Sequence, residues 1–428
     1  MSRKILPVVF IAVLTAIVAM PRTPTTAQQQ DQVLYSSFYG GSTHGAWERQ
    51  MVAEYQAPND EVELLHRATA IYSQPVPLRS LDQEIASDSH ADVITGFIGG
   101  GALLNYIEQG YLADISDLWA EMGWYDDYPQ SVIDMATVDG KQYFVPMAFQ
   151  WNPVFYRADI FESLGLTPPE TWDELLGLCD TLHAEGYIPF TVSVAGWNPP
   201  VARWFTMLNL RLNGPKFHER LMRGQESYED ERVRNVFEHW TQLFEHNCFA
   251  EDVGSTNYGG AVDQLTGGEA VMYLLGEWLY ESLDPGEGEL LDFYRFPVID
   301  PDVSNGEIVH YYGAYLHADA ANPEAARDFL RHLGSPAVQT QIVTEVNRAV
   351  ATSAIDRAIM PDYQQRGVEF VANSGYLVPL LEVSNLNQRM ANRMLNLLSV
   401  FMRTWNEPGR IDQTLSELET VRLEQIGD

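Results

Sequence analysis

The sequence predicts an α/β protein built as two units. Two observations carry that reading. Residues from VLYSSFY to about 147 alternate strand-like and helix-like segments, a rhythm that gives a mainly parallel sheet with helices on both faces. A second run of strands and helices starts near residue 150 with no Pro/Ser-rich linker before it, so the chain should cross between the units several times. At 428 residues it is too long for one ordinary core and ample for two.

In the first unit, VLYSSFY reads as a strand and GAWERQMVAEYQA as an amphipathic helix. VELLHRATA is a second strand, with PLRSLDQEIASDS as a helix after it. ADVITGFIGGG is a buried strand that ends in a glycine loop and leads to the helix ALLNYIEQG. In open sheets of this kind ligands sit at the carboxyl ends of strands, here FYGGSTHG, YSQPVP and TGFIGGG. The last of these lacks a Walker lysine and does not match GxGxxG. Its glycines suit close packing or a cleft wall.

In the second unit, YFVPMAFQWNPVFYRADIFESLGL passes from strand to helix. Thr171 is placed to cap the following helix, with Glu174 completing a capping box. YIPFTVSVAGWNPP is a strand running into a loop, and strand-like FYRFPVI and VHYYGAYLHA come later.

The N-terminus pairs Arg3 and Lys4 with an apolar run from Ile5 to Met20, then a polar, turn-rich stretch. That pattern fits a secretory signal, with a cut expected after Ala27. The competing reading, a retained membrane anchor, is disfavoured because a span needs about 20 apolar residues. No cysteine follows the signal, so a lipid anchor is not expected, and the mature protein should be periplasmic or secreted. The two cysteines, Cys179 and Cys248, either pair there or stay as buried thiols. The net charge of −33, with lysine only at positions 4, 141 and 216, argues against nucleic acid and anionic lipid as partners. No HExxH, CxxC pair or GxSxG is present, so the expectation is no metal, no cofactor and no enzyme activity.

One stretch stands out. In GGEAVMYLLGEWLY, Gly276, Glu277 and Trp278 interrupt an apolar run. Glutamate can accept hydroxyl protons and indole offers a flat apolar face, which together suit a polyhydroxylated ring. The plainer alternative is a helix N-terminus with the acid at its positive end and the tryptophan packed inside.

Taken in order, several blocks resemble the extracellular solute-binding proteins of family 1, the sugar-binding components of ABC importers. They are DVITGFIGGGALLNYIEQGYLADIS, YFVPMAFQWNPVFYRADIFESLGLTPPETWDEL, GGEAVMYLLGEWLYESL and NPEAARDFLRHLGSPAVQTQI. LRLNGPKFHERLMRGQESYEDERV is similar to members that bind multiple sugars or oligosaccharides. The resemblance implies a type II periplasmic-binding-protein fold, with two α/β lobes and a multi-crossing hinge. Lobe one would be 33–147 plus 317–348 and lobe two 152–312 plus 355–428. Crossings would fall near Phe149–Trp151, His310–Leu316 and Val350–Ser353.

It further implies capture of a mono- or oligosaccharide in the cleft and delivery to an ABC transporter permease in the cytoplasmic membrane, by a monomer. Trp278 and Glu277 match the family's G-x-W block. Trp197 follows a second-lobe strand, and Gln150 and Trp151 lie at a crossing. Phe38, Tyr39 and His44 occupy the first strand-end loop. Tyr311 and Tyr312 should face opposite sides of one strand, and Arg348 sits near the third crossing. Two other functions compete: a binder of a different polar solute (polyol, glycerol phosphate or polyamine), and a glycoside hydrolase with paired carboxylates.

Overall fold

The computed structural model describes residues 31–37, 44–59, 62–68, 85–87, 89–98, 101–379 and 388–427. The expected signal, the expected helix before residue 85 and the loop carrying Phe38 and Tyr39 fall outside them. Among the described residues, no helix is long and apolar enough to cross a membrane.

The strands in chain order are β1 (Asp31–Ser37), β2 (Val62–Ala68), β3 (Val93–Ile98), β4 (Thr137–Val138), β5 (Lys141–Gln142), β6 (Phe144–Trp151), β7 (Val154–Arg157), β8 (Ile188–Phe190), β9 (Ala270–Leu274), β10 (Leu291–Tyr294), β11 (Gly306–Leu316) and β12 (Tyr376–Val378). The first sheet has the order β12-β11-β3-β1-β2, with β6 also on β11. Its β2-β1-β3 portion is parallel, as the βαβαβ rhythm predicts. β11 then runs antiparallel to both β3 and β6. The second sheet, β10-β7-β9-β8, is antiparallel except for its β8–β9 edge.

Among the described residues the interior divides into two large apolar cores. The first gathers Val33, Tyr35, Met51, Ile94, Trp119, Phe144 and Tyr315. The second gathers Leu175, Phe190, Trp204, Phe237, Trp240, Leu398 and Leu418. A smaller cluster of Phe155, Leu265, Tyr273, Leu275 and Leu279 lies on the second sheet. Going along the chain, residues change core between Trp151 and Val154, between Ile308 and Val309, and between Leu377 and Val378. Val350, Ala351 and Ile355, at and just beyond the expected third crossing, all stay in the first core. So do Val368, Phe370 and Val371 of the helix Asp362–Ala372, whereas the helices Gln388–Thr404 and Arg410–Gly427 pack on the second.

Local chemistry explains several boundaries. Thr171 caps the helix Trp172–Ala184, and the reciprocal Glu174 bond forms the expected capping box. Cys179 of that helix is bonded to Cys248, with Cα atoms 5.0 Å apart, which settles the pairing the sequence left open. The helix Pro336–Val346 ends on Asn347 in the left-handed conformation, φ 55°. The chain then turns so that Ala349 accepts a hydrogen bond from the Phe149 amide of β6 at 3.0 Å. This pairing fixes Arg348 beside the first crossing.

Candidate functional site

The site forms where β9 ends. All five residues of β9 are buried. The chain then passes through Leu275 and an extended Gly276 (φ −79°, ψ 156°) into a 3-10 turn, Glu277–Ser282. Gly276 is needed for close approach: a Cβ there would lie 1.7 Å from the Trp278 ring. The glutamate does open a helical turn, as the plainer reading held, but it is not left to solvent at a helix end.

Glu277 is 2% exposed. Its Oε1 lies 3.4 Å from Nη1 of Arg348, itself 2% exposed. The same guanidinium pairs with Glu281, one turn along. Gln150 also hydrogen-bonds Glu277, and the Gln150 carbonyl accepts a bond from the Tyr312 hydroxyl at 2.9 Å. Burial pushes the Glu277 carboxyl up to about 7; the Arg348 guanidinium pulls it down and Glu281 pushes it further up. His44 faces the same guanidinium. Burial, then Arg348, hold its imidazole down to about 4, with Glu48 opposing, so it is neutral at pH 7.

Trp278 is partly buried between the second core and the smaller cluster. Its ring stacks on His310, with centroids 5.4 Å apart and planes 16° apart. The Arg203 guanidinium carbon lies 4.7 Å from the ring centroid. Burial first, and then Arg203 and Arg348, hold His310 well below the usual histidine range, so the stacked imidazole is uncharged.

The structure thus brings together six of the expected residues: Gln150, Glu277, Trp278, Tyr312, Arg348 and His44. β6, β11 and the segment after Asn347 each send one side chain to the Glu277–Trp278 turn, namely Gln150, His310 and Arg348. Trp151 and Tyr311 go elsewhere. Trp151 has no exposed surface and packs on Phe149, Phe293 and Tyr363. Tyr311 is 1% exposed and stacks on Phe149. Both rings point into the first core, because alternation along a strand turns every second side chain away from the site. Trp197 is 43% exposed and meets Tyr258 edge-on at 5.2 Å. The Tyr258 hydroxyl bonds Ser282 at 2.8 Å, so Trp197 stands over the outer end of the turn, beside the cluster.

The sequence reading missed Arg203, His310, Asn152 and Glu281. An arginine inside the apolar run PPVARWF was the available signal for Arg203, since buried charges need a specific reason. The cluster can accept hydrogen bonds at carboxylates, donate them from guanidinium and amide groups, and offer an aromatic edge. Among the described residues no group of three or more His, Cys, Asp or Glu side chains is placed to hold a metal.

Known proteins resemble this chain in sequence and in structure. An uncharacterized ABC transporter extracellular-binding protein of Pyrococcus horikoshii is 25% identical over 414 residues, 93% of this chain and 90% of that protein. A probable sugar-binding periplasmic protein of Mesorhizobium japonicum is 21% identical over 210 residues, 48% of this chain and 49% of that one. Among solved structures, the bacterial solute receptor AcbH, described as having an exclusive preference for β-D-galactopyranose, superposes with a TM-score of 0.83 at 21% identity, covering 92% of this chain and 99% of its own. The pattern of the bacterial extracellular solute-binding proteins matches residues 40–340. The two-core α/β fold is therefore that of a type II periplasmic solute-binding protein, and the chain belongs to the bacterial extracellular solute-binding protein family.

Proposed function

We propose that this chain is the substrate-binding component of a carbohydrate ABC importer. It captures a mono- or oligosaccharide between two lobes, one built around each large core, with the chain passing between them near Trp151–Val154, Ile308–Val309 and Leu377–Val378, and delivers it to a membrane permease. It works as a monomer, outside the cytoplasm, after loss of a leader ending at Ala27. The buried Cys179–Cys248 bond fits an oxidising compartment.

One observation carries the reading. Glu277, Gln150 and Arg348, each at most 3% exposed, converge beside the Trp278 indole. An acceptor, an amide that can both donate and accept, a charged donor and an indole edge are groups that meet the hydroxyls and C–H groups of a pyranose. Charge supports a neutral ligand. Arg348 is shared by Glu277 and Glu281, while His44 and His310 are held neutral. A polyamine would call for surplus carboxylates and a phosphate for surplus cations. Catalysis is not part of this reading. Glu277 and Glu281 share one turn and one arginine, whereas glycoside hydrolysis places two carboxyl groups on either side of the scissile bond.

A thermal-shift screen over monosaccharides, disaccharides, polyols, glycerol phosphate and polyamines tests the proposal. A sugar present at about 100 times its Kd adds roughly 2.7 kcal/mol of stability. A response confined to polyols or polyamines would overturn it.

A further inference from the structure

We propose that Arg203 is a positioning residue: it fixes the plane of Trp278 and ties that plane to the first two passages between the cores. The functional meaning of this inference rests on Trp278 being a ligand contact. Arg203 lies on the helix Pro199–Met222 with no exposed surface, between Ala202 and Trp204, which are equally buried. Its Nε donates to Asn152 Oδ1 at 2.8 Å. Asn152 sits where the chain leaves the first core, between Trp151 and Val154. The Asn152 side-chain amide donates in turn to the Ile308 carbonyl at 3.1 Å, at the second passage.

The carbon of the same guanidinium lies over the Trp278 ring, 4.7 Å from its centroid. That ring stacks on His310, two residues beyond Ile308 on β11. Gly276 leaves no Cβ to push the ring off this position. Trp278 is thus held by Arg203, His310 and the Gly276 backbone, and two of these three contacts lead back to Ile308–His310.

Only a planar cation can do both jobs. A guanidinium donates in its plane and stacks through its face, whereas an ammonium is a point charge with no face. A change in the angle between the cores at either passage would move Asn152 or Ile308, and Arg203 would carry that movement to the indole plane. Arg203 acts through Trp278 and does not itself need to touch ligand.

The test uses the full chain labelled with 5-fluorotryptophan, whose ten tryptophans give separate fluorine resonances. The resonance missing from W278F identifies Trp278. In both R203M and R203K that resonance is expected to shift and broaden, while those of tryptophans distant from the site keep their positions. An unmoved Trp278 resonance in R203M would overturn the proposal, as would retention of its wild-type position in R203K, since charge without a planar face would then suffice. If R203M does not fold, N152A removes only the acceptor of Arg203 Nε. It is expected to move the same resonance by less, and no movement there would equally overturn the proposal. The spectrum is read without ligand, so failure of the sugar reading and failure of this one remain distinguishable.

Discussion

Arg348 and Glu277 face each other across a boundary between apolar clusters. Arg348 follows Val346 and precedes Ala349 in the first core, while Glu277 lies between Leu275 and Leu279 of the cluster on the second sheet. Their closest atoms are 3.4 Å apart and both side chains are 2% exposed. A buried pair of this kind is weak evidence of net stabilisation, but removing one partner leaves the other charge stranded. The relationship therefore makes a sharper prediction about variants than about the wild type.

R348A is expected to destabilise the protein by about 3 kcal/mol at pH 8 and by clearly less at pH 6. Glu277 already titrates near 7, so at the lower pH it carries a proton and loses little when Arg348 goes. Urea denaturation at the two pH values checks this. Equal losses at both would show that Glu277 is not the group left stranded.

E277Q should change the pH profile of stability in a defined direction. Burial raises the Glu277 carboxyl from its ordinary value of 4.5 to about 7, so between those values the folded state binds more protons than the unfolded one. The Glu277 contribution is fully present below about 4.5 and is lost as pH rises through 7. His44 runs the other way: its value falls from 6.5 to about 4, so its contribution is present above 6.5 and is lost as pH drops through 4. His44 is common to both proteins and drops out of the difference. Wild-type Tm minus E277Q Tm is expected to fall steadily from pH 5 to pH 8, and parallel profiles would refute the assignment.

G276A introduces a Cβ that would lie 1.7 Å from the Trp278 ring. The backbone at φ −79° tolerates alanine, so the effect comes from displacing the indole. A cost of about 1–3 kcal/mol is expected, together with weaker sugar binding. Unchanged binding would mean that the ring position does not matter.

Removing the Cys179–Cys248 bond, separated by 69 residues in sequence, is expected to lower stability by about 4 kcal/mol on the chain-entropy estimate. It should leave sugar affinity nearly unchanged, because both cysteines belong to the second core and neither contacts the Glu277–Trp278 turn. Comparing Tm and affinity of C179A/C248A with wild type separates the two effects.

Much of this arrangement was legible in the sequence, and what was not has identifiable causes. The parallel β2-β1-β3 unit follows from local strand–helix alternation. The antiparallel insertion of β11 between β3 and β6 does not, since β11 arrives some 200 residues later and strand direction is set by that long return. Glu277 and Trp278 could be read because polar residues break an apolar run just after a buried strand. Trp151 and Tyr311 were expected at the site because they flank it in sequence, but period-two alternation sends their rings into the core, and the face of a fully buried strand cannot be read from its pattern. Arg203 was missed because its partners, Asn152 and Trp278, come from distant segments. The third passage moves to Leu377–Val378 because the helix Asp362–Ala372 still presents Val368, Phe370 and Val371 to the first core.

The most direct test is calorimetric titration of W278A and wild type with the sugar that gives the largest thermal shift. Loss of the indole contact is expected to weaken binding tenfold or more, about 1.4 kcal/mol, with the fold intact by circular dichroism. Equal affinities in the two proteins would contradict the account, because the ligand would then bind somewhere other than against Trp278.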